Sequence, residues 1–207
     1  MDPLLLLSFL GAAILLTLMP GPDILFVTAQ SISQNKKAGI FTALGLCTGL
    51  IVHITAATLG ISAIVYQSAV AFTIVKYAGA LYLFYLAWMS FRDKGQPFSI
   101  KKQDSINYGS LYKKGILMNL LNPKVSLFFL ALLPQFIDNS WRHISLQMFI
   151  LGTIFLIQAL LIFSVISIFS EKIGQLLLNN SFIARKMNLI QGALFGIIGL
   201  QIAFSEK

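Results

Sequence analysis

Charge is what this 207-residue chain has least of. Only 11% of its residues are Asp, Glu, Lys or Arg, against about 25% in a soluble domain. With 57% hydrophobic residues and a mean hydropathy of +0.83, that scarcity excludes a soluble globular domain and makes lipid the solvent of nearly the whole chain. Acidic residues are scarcer still, 7 against 15 basic ones, for a net charge of +8. In a membrane chain this excess is a topology signal to be counted loop by loop, not a nucleic-acid footprint. The single cysteine, Cys47, excludes an intrachain disulfide and argues against a membrane oxidoreductase relaying thiol electrons. The two histidines, His53 and His143, do not make a metal-ligand set, so neither metal nor cofactor is expected. A phosphate-binding loop of the Gly-x-x-x-x-Gly-Lys-Ser/Thr type is missing, which excludes ATP hydrolysis by this chain. The apolar N-terminal run has Asp2 and no basic residue before it, and lacks a small-x-small cleavage site. It is expected to stay as a membrane span and not to be cleaved as a signal.

What is present is apolar sequence enough for six spans of about 20 residues with their loops. The expected fold is all-α and integral to the membrane, with spans at Pro3 to about Ala29, Ala38 to Tyr66, Val70 to Phe91, Gly115 to Phe136, Ile144 to Phe169 and Met187 to Phe204. Polar turns fall at Gln34–Lys37, Tyr66–Ser68 and Asp138–His143, the last with Trp141 at the interface. The longest hydrophilic loop is Arg92–Lys114, and Glu171–Lys186 is another, with an interfacial helix expected through Leu176–Leu178. Lys36 and Lys37, then Arg92, Lys94, Lys101, Lys102, Lys113 and Lys114, then Lys172, Arg185 and Lys186 lie on one side. The alternate side holds only Arg142 and Lys207. A bias of eleven to two places both termini on the extracytoplasmic side.

Two stretches break the apolar pattern. Pro20-Gly21-Pro22-Asp23 interrupts the first span and Asn122-Pro123-Lys124 the fourth. Proline removes a backbone donor and clashes with the preceding turn. The first span as one straight helix would be about 40 Å long, against about 30 Å of hydrocarbon; a break makes it two half-helices. In lipid, a broken backbone survives only where protein or a wet cavity satisfies the freed groups. Each break falls in the first span of a three-span half, about 1–91 and 115–207, joined by a cytoplasmic loop at 92–114. Three spans per half make the halves antiparallel. The chain is thus expected to be a single transporter domain, 1–207, of two inverted three-helix repeats with helices 1 and 4 broken.

The breaks carry opposite charges. Lys124 is about 15 Å along the helix from Lys114, and a lone charge near the bilayer centre costs about 2.5 kcal/mol or more. Asp23 and Lys124 would offset this either as a buried ion pair tying the halves together or as the two ends of a substrate path. In the second case a zwitterion's carboxylate would meet Lys124 and freed N–H groups, and its ammonium would meet Asp23 and carbonyls exposed by Pro20 and Pro22. Thr17, Asn119, Asn122, Gln135 and Gln158 would line a cavity or bridge helices. Small residues form two stripes. Thr42, Gly45, Gly49, His53, Ala56 and Gly60 share one face of span two; Asn188, Gly192, Gly196, Gly199 and Ala203 share one of span six. They are helix-packing faces, with one of them open to a homodimer. His53 is either a hydrogen-bonding member of its stripe or a proton relay, and Lys76 is placed to snorkel.

At these motifs the chain resembles, over essentially its whole length, the bacterial LysE/RhtB family of amino-acid exporters. The resemblance rests on Pro20-Gly21-Pro22-Asp23, Gly45 and Gly49 with His53, Lys76 with Gly79-Ala80 and Tyr82-Leu83, and Asn122-Pro123-Lys124. Phe128-Phe129-Leu130, Pro134-Gln135-Phe136, Gly192 and Gly196 extend it. It implies secondary, proton-driven export of small amino acids or close derivatives across the bacterial cytoplasmic (inner) membrane, with the amino acid and the lipid bilayer as partners and no nucleic acid. Pro20, Gly21, Pro22, Asp23, His53, Asn122, Pro123 and Lys124 would serve binding or coupling. Two positions depart from the pattern: Asp23 stands where family members often have Asn, and Ala87 where a glycine is common. Gly45-Leu46-Cys47-Thr48-Gly49-Leu50 followed by His53 is similar to the homoserine/threonine branch. Two alternatives stay open: an exporter of another small solute or a metal ion, disfavoured because Asp23 is the only carboxylate within the spans, and a non-transporting scaffold. A transporter is expected to hold a cavity about the size of an amino acid between the breaks.

The charge bias makes a direct prediction. A periplasm-active reporter fused after Lys207 should give signal, and one inserted in the Arg92–Lys114 loop should give none. The reverse pattern would overturn the orientation.

Overall fold

The computed structural model describes residues 2–19, 21–61, 69–92, 107–138 and 143–170, together with ten helical positions between 186 and 204. All described regular structure is helical. Helix α1, Pro3–Leu18, starts where the Asp2 carboxylate accepts from the Leu4 amide at 2.9 Å with Pro3 in the first turn, an N-cap followed by the one position where proline loses nothing. It stops at Met19. Pro20 lies outside the described residues. Helix α2, Pro22–Ser33, begins afresh behind an extended Gly21, with Pro22 again in its first turn and Asp23 beside it. The two halves bend by 53° and together form one candidate span.

Asn35 caps helix α3, Lys36–Ala56, by accepting from Ala38 at 3.0 Å. The helix continues into a π-helical turn at Ala57–Ile61. Helix α4 covers Ala69–Arg92. Helix α5, Tyr108–Leu120, begins at Tyr108 and not at Gly115. The reason is local: Asn107 caps it by accepting from Ser110 at 2.9 Å, and Leu111 and Gly115 supply a buried face while Lys113 and Lys114 stay exposed. The end of the hydrophilic stretch is therefore helix. Helix α6, Pro123–Leu127, passes through a π-turn at Phe128–Leu132 into a 3-10 turn at Leu133–Phe136. It bends 48° from α5, again forming one candidate span. Helix α7 is Ile144–Ile168. By length and composition, α3 with its π-turn and α7 can each cross a membrane alone, and each bent pair qualifies when taken as one span. The interfacial helix expected at Leu176–Leu178 lies outside the described residues.

The most extensive packing among the described helices is between α3 and α5, and glycine makes it possible. A Cβ on Gly115 would stand 2.6 Å from the Thr42 carbonyl oxygen and 3.1 Å from the Gly45 Cα. A Cβ on Gly45 would collide with the Tyr112 carbonyl, and one on Gly49 would stand 2.8 Å from the Asn119 side chain. The small stripe of α3 is thus spent inside the chain, not on a dimer partner, and only along part of its length. Thr42, Gly45 and Gly49 are buried and His53 is half-buried, but Ala56 and Gly60 are exposed. Near the C-terminus, Gly192 packs against the ring of Phe91, where a Cβ would stand 2.6 Å from Cε1, while Gly196 has nothing within 4 Å.

The core on the Asp2 side of the breaks is aromatic. Phe128 lies 4.6 Å from Phe155 and 5.9 Å from Phe9, and Phe9 meets Phe136 edge-on at 5.3 Å. Buried hydroxyls are silenced locally: Thr17, Thr28, Ser31, Thr42 and Ser167 each donate to the carbonyl four residues back, which settles a polar group where lipid offers none.

Because Gly45 and Gly115 touch backbone to backbone, Gly45→Val or Gly115→Val should destabilise the folded protein by about 1–3 kcal/mol, whereas Gly196→Ala should be tolerated. Thermal unfolding in detergent, at matched protein, checks this. Equal stability of all three variants would contradict it.

Candidate functional site

The two breaks meet, and each charge binds the opposite break. Asp23, 8% exposed, accepts from Asn122 Nδ2 at 2.8 Å through Oδ1 and from Asn119 Nδ2 at 2.9 Å through Oδ2. Those amides stand at the end of α5 and in the gap before α6. In the other direction Lys124 Nζ donates to the Met19 carbonyl at 3.2 Å, at the broken end of α1. There the carbonyls of the last turn have no intrahelical partners and the helix dipole favours a cation. Among the described residues the partners of Asp23 are the two amides and that of Lys124 is the carbonyl. The charges face one cavity without pairing directly.

Local sequence explains the register. Pro22 and Pro123 both occupy the first turn of the helix that restarts, and Asp23 and Lys124 each follow directly. Asn122 does two jobs. Its Oδ1 caps α6 by accepting from the Lys124 amide at 3.0 Å, and its Nδ2 holds Asp23. Gly21 lets the lysine approach, since a Cβ there would stand 3.2 Å from Lys124 Nζ. His53 Nε2 lies 3.2 Å from the carbonyl oxygen of Asn119, and its ring stacks on Phe129 at 5.9 Å. A carbonyl can only accept, so Nε2 carries the proton. His53 thereby braces the residue that braces Asp23.

The cavity between the breaks measures about 20 Å³, room for one water and not for an amino acid. Among the described residues the space between the breaks is smaller than the amino-acid-sized cavity expected from sequence, with the crosswise bonds spanning it. Asp23, Lys124, Asn119, Asn122, Thr17 and Gly21 are its polar or backbone-lined members; Leu16, Ile24, Leu50, Val125, Phe155, Ala159 and Phe163 are its apolar ones. Asn119 Oδ1 is buried without a hydrogen-bond partner, against Gly49 of α3. Behind the wall, Gln158 Nε2 donates to Thr17 Oγ1 at 2.9 Å, and Gln158 Oε1 is likewise unpartnered.

Of the residues singled out from sequence, Gly21, Asp23, Asn122, Lys124, Thr17 and Asn119 come together here, with Pro22 and Pro123 setting their register and His53 and Gln158 just outside. Gln135 sits half-buried on the 3-10 turn, away from the cavity. The side chain of Lys76 lies outside the described residues. Among the described residues no cluster of three or more His, Cys, Asp or Glu could hold a metal. Sequence reasoning missed the Met19 carbonyl, which carries no side-chain signal. It also missed Gln147, which grips the Asp138 backbone with both ends of its amide, at 2.8 and 2.9 Å. A glutamine in the first turn of an apolar helix was the available clue.

Two broken helices that exchange charges at a membrane-buried cavity are the anatomy of a translocator. The chain belongs to the LysE type translocator family, which it matches over residues 14–206. It is 32% identical to an uncharacterized membrane protein of Vibrio cholerae over the full length of both chains. It is 34% identical to the uncharacterized membrane protein YrhP of Bacillus subtilis, over 76% of this chain and 79% of that one. It is 32% identical to the leucine efflux protein of Salmonella typhimurium, over 70% of this chain and 69% of that one. No solved structure matches.

Asn122→Ala should destabilise more than Asn107→Ala. Losing a cap costs about 1 kcal/mol in either case; leaving the Asp23 carboxylate short of a donor adds about 1–3 kcal/mol. Thermal unfolding of the two variants side by side measures the difference, and equal losses would show that Asn122 acts as a cap alone.

Proposed function

We propose that the protein is a secondary exporter of small amino acids or close derivatives across the cytoplasmic membrane, coupled to the proton gradient, with Asp23 and Lys124 at the substrate site. The observation that carries this is the placing of one anion and one cation around a single cavity. An amino acid presents the complementary set. Its carboxylate would take Lys124 from the Met19 carbonyl, and its ammonium would be received by Asp23. Membership of a translocator family supports transport, and a relative named as a leucine efflux protein supports amino acids as the cargo. A metal-ion cargo fits less well, because the cavity lining offers one carboxylate only.

The architecture we propose around this site has six spans in two inverted halves, about 1–91 and 115–207, with both termini extracytoplasmic. The matching registers of Pro22-Asp23 and Pro123-Lys124 support the repeat. His53, joined to Asp23 through Asn119 by two hydrogen bonds, is the residue we assign to proton coupling. A homodimer would use a face other than the glycine face of α3, which the chain itself occupies.

Efflux of preloaded amino acid from vesicles, normalised to inserted protein, tests the site. Lys124→Ala should slow efflux by at least about tenfold, the loss typical of truncating one partner of a buried charged contact. Asp23→Asn should give inserted protein with altered efflux. Normal efflux by well-inserted Lys124→Ala would remove Lys124 from the site. Efflux that falls only in proportion to protein in Asp23→Asn would make the acid a structural element.

A further inference from the structure

We propose that the side chain of the transported amino acid rests on the apolar wall of Leu16, Ile24, Leu50, Phe155 and Phe163, with Ala159 as its floor, so that the site takes neutral aliphatic side chains and rejects charged ones. This rests on the export function proposed above and adds the class of cargo.

The cavity lining is mixed, charged in part and apolar in part. The charged groups in its lining are Asp23 and Lys124, and the ammonium and carboxylate common to all amino acids would occupy both. The remaining polar lining groups are engaged in hydrogen bonds of their own. Thr17 Oγ1 donates to the Ala13 carbonyl and accepts from Gln158. Asn122 is engaged at both ends of its amide, and Asn119 reaches Asp23. A charged side chain lying toward α7 would give up its hydration and find no opposite charge in the lining. An aliphatic one would replace contacts that the wall already makes with itself.

Helix register sets the size limit. Phe155, Ala159 and Phe163 follow one another at intervals of four on α7 and so stack along one face. All three are buried and line the cavity. The alanine is the one small residue of the three, flanked by a ring on each side. Opening the site around a cargo moves this wall outward, and the depth left for the side chain is set by what projects from position 159.

The test uses the full chain in proteoliposomes loaded separately with labelled alanine, leucine, lysine and glutamate. The wild type should export leucine or alanine at least about tenfold faster than lysine or glutamate. Ala159→Leu should lower the leucine-to-alanine efflux ratio by about tenfold, the scale of a few methylenes in an apolar pocket, and Ala159→Gly should raise it. Ratios within one variant are independent of how much protein inserts, and the glycine variant carries the test where the leucine variant does not fold. Export of lysine or glutamate at the rate of leucine would overturn the selectivity while leaving amino-acid export intact. So would an unchanged ratio in the inserted variants. Export of none of the four would overturn the export function and this inference with it.

Discussion

A helix broken inside lipid must find partners for the backbone and charged groups it leaves there, and in this protein the charge of each break is held by the other. Lys124, from the restart of one broken span, reaches the carbonyl end left by the other; Asp23 is held by the amides beside the second break. The exchange explains why the breaks carry opposite charges and why each charge directly follows the proline that restarts its helix. A lysine at the start of its own helix is on the wrong end of that helix's dipole. It is on the right end of α1. The cross-contacts tie the two bent spans into one structural unit.

The rest of the fold holds that unit in register. Gly45, Gly49 and Gly115 let α3 and α5 approach to backbone contact, which sets the end of α5, and hence Asn119 and Asn122, at the right height against Asp23. His53 continues the same face of α3 and fixes the Asn119 carbonyl. Phe155 belongs both to the cavity lining and to the aromatic cluster with Phe128 and Phe129, so the polar centre and the apolar core share a wall. A change in the size of the cavity must be felt in the packing of α6.

Much of this was legible in the sequence because the sequence is so apolar. Against a background of Leu, Ile and Phe, the prolines, the aspartate and the lysine announce themselves. The glycine stripe of α3 is visible as a 3-4 spacing. What could not be read is what depends on main-chain atoms or on distant partners. The Met19 carbonyl has no letter of its own, and the pairing of Asp23 with two amides instead of Lys124 is decided by three-dimensional reach. The start of α5 was hidden because Lys113 and Lys114 look like loop while Asn107 caps and Leu111 anchors a helix through them. The π-turns at Ala57–Ile61 and Phe128–Leu132 leave no residue signature beyond ordinary helix formers. The size of the cavity belongs to how tightly the crosswise bonds close, which composition does not encode.

One property of the centre reaches beyond its geometry. With Asp23 ionised and Lys124 protonated, the buried polar group as a whole has no net charge, and a zwitterion entering it adds none. The membrane potential does work only on net charge displaced along the field, about 2.3 kcal/mol per elementary charge per 100 mV. In the proposed export cycle, a rearrangement that carries this centre and a zwitterion together would therefore be electrically silent, and voltage sensitivity would belong to a coupled ion.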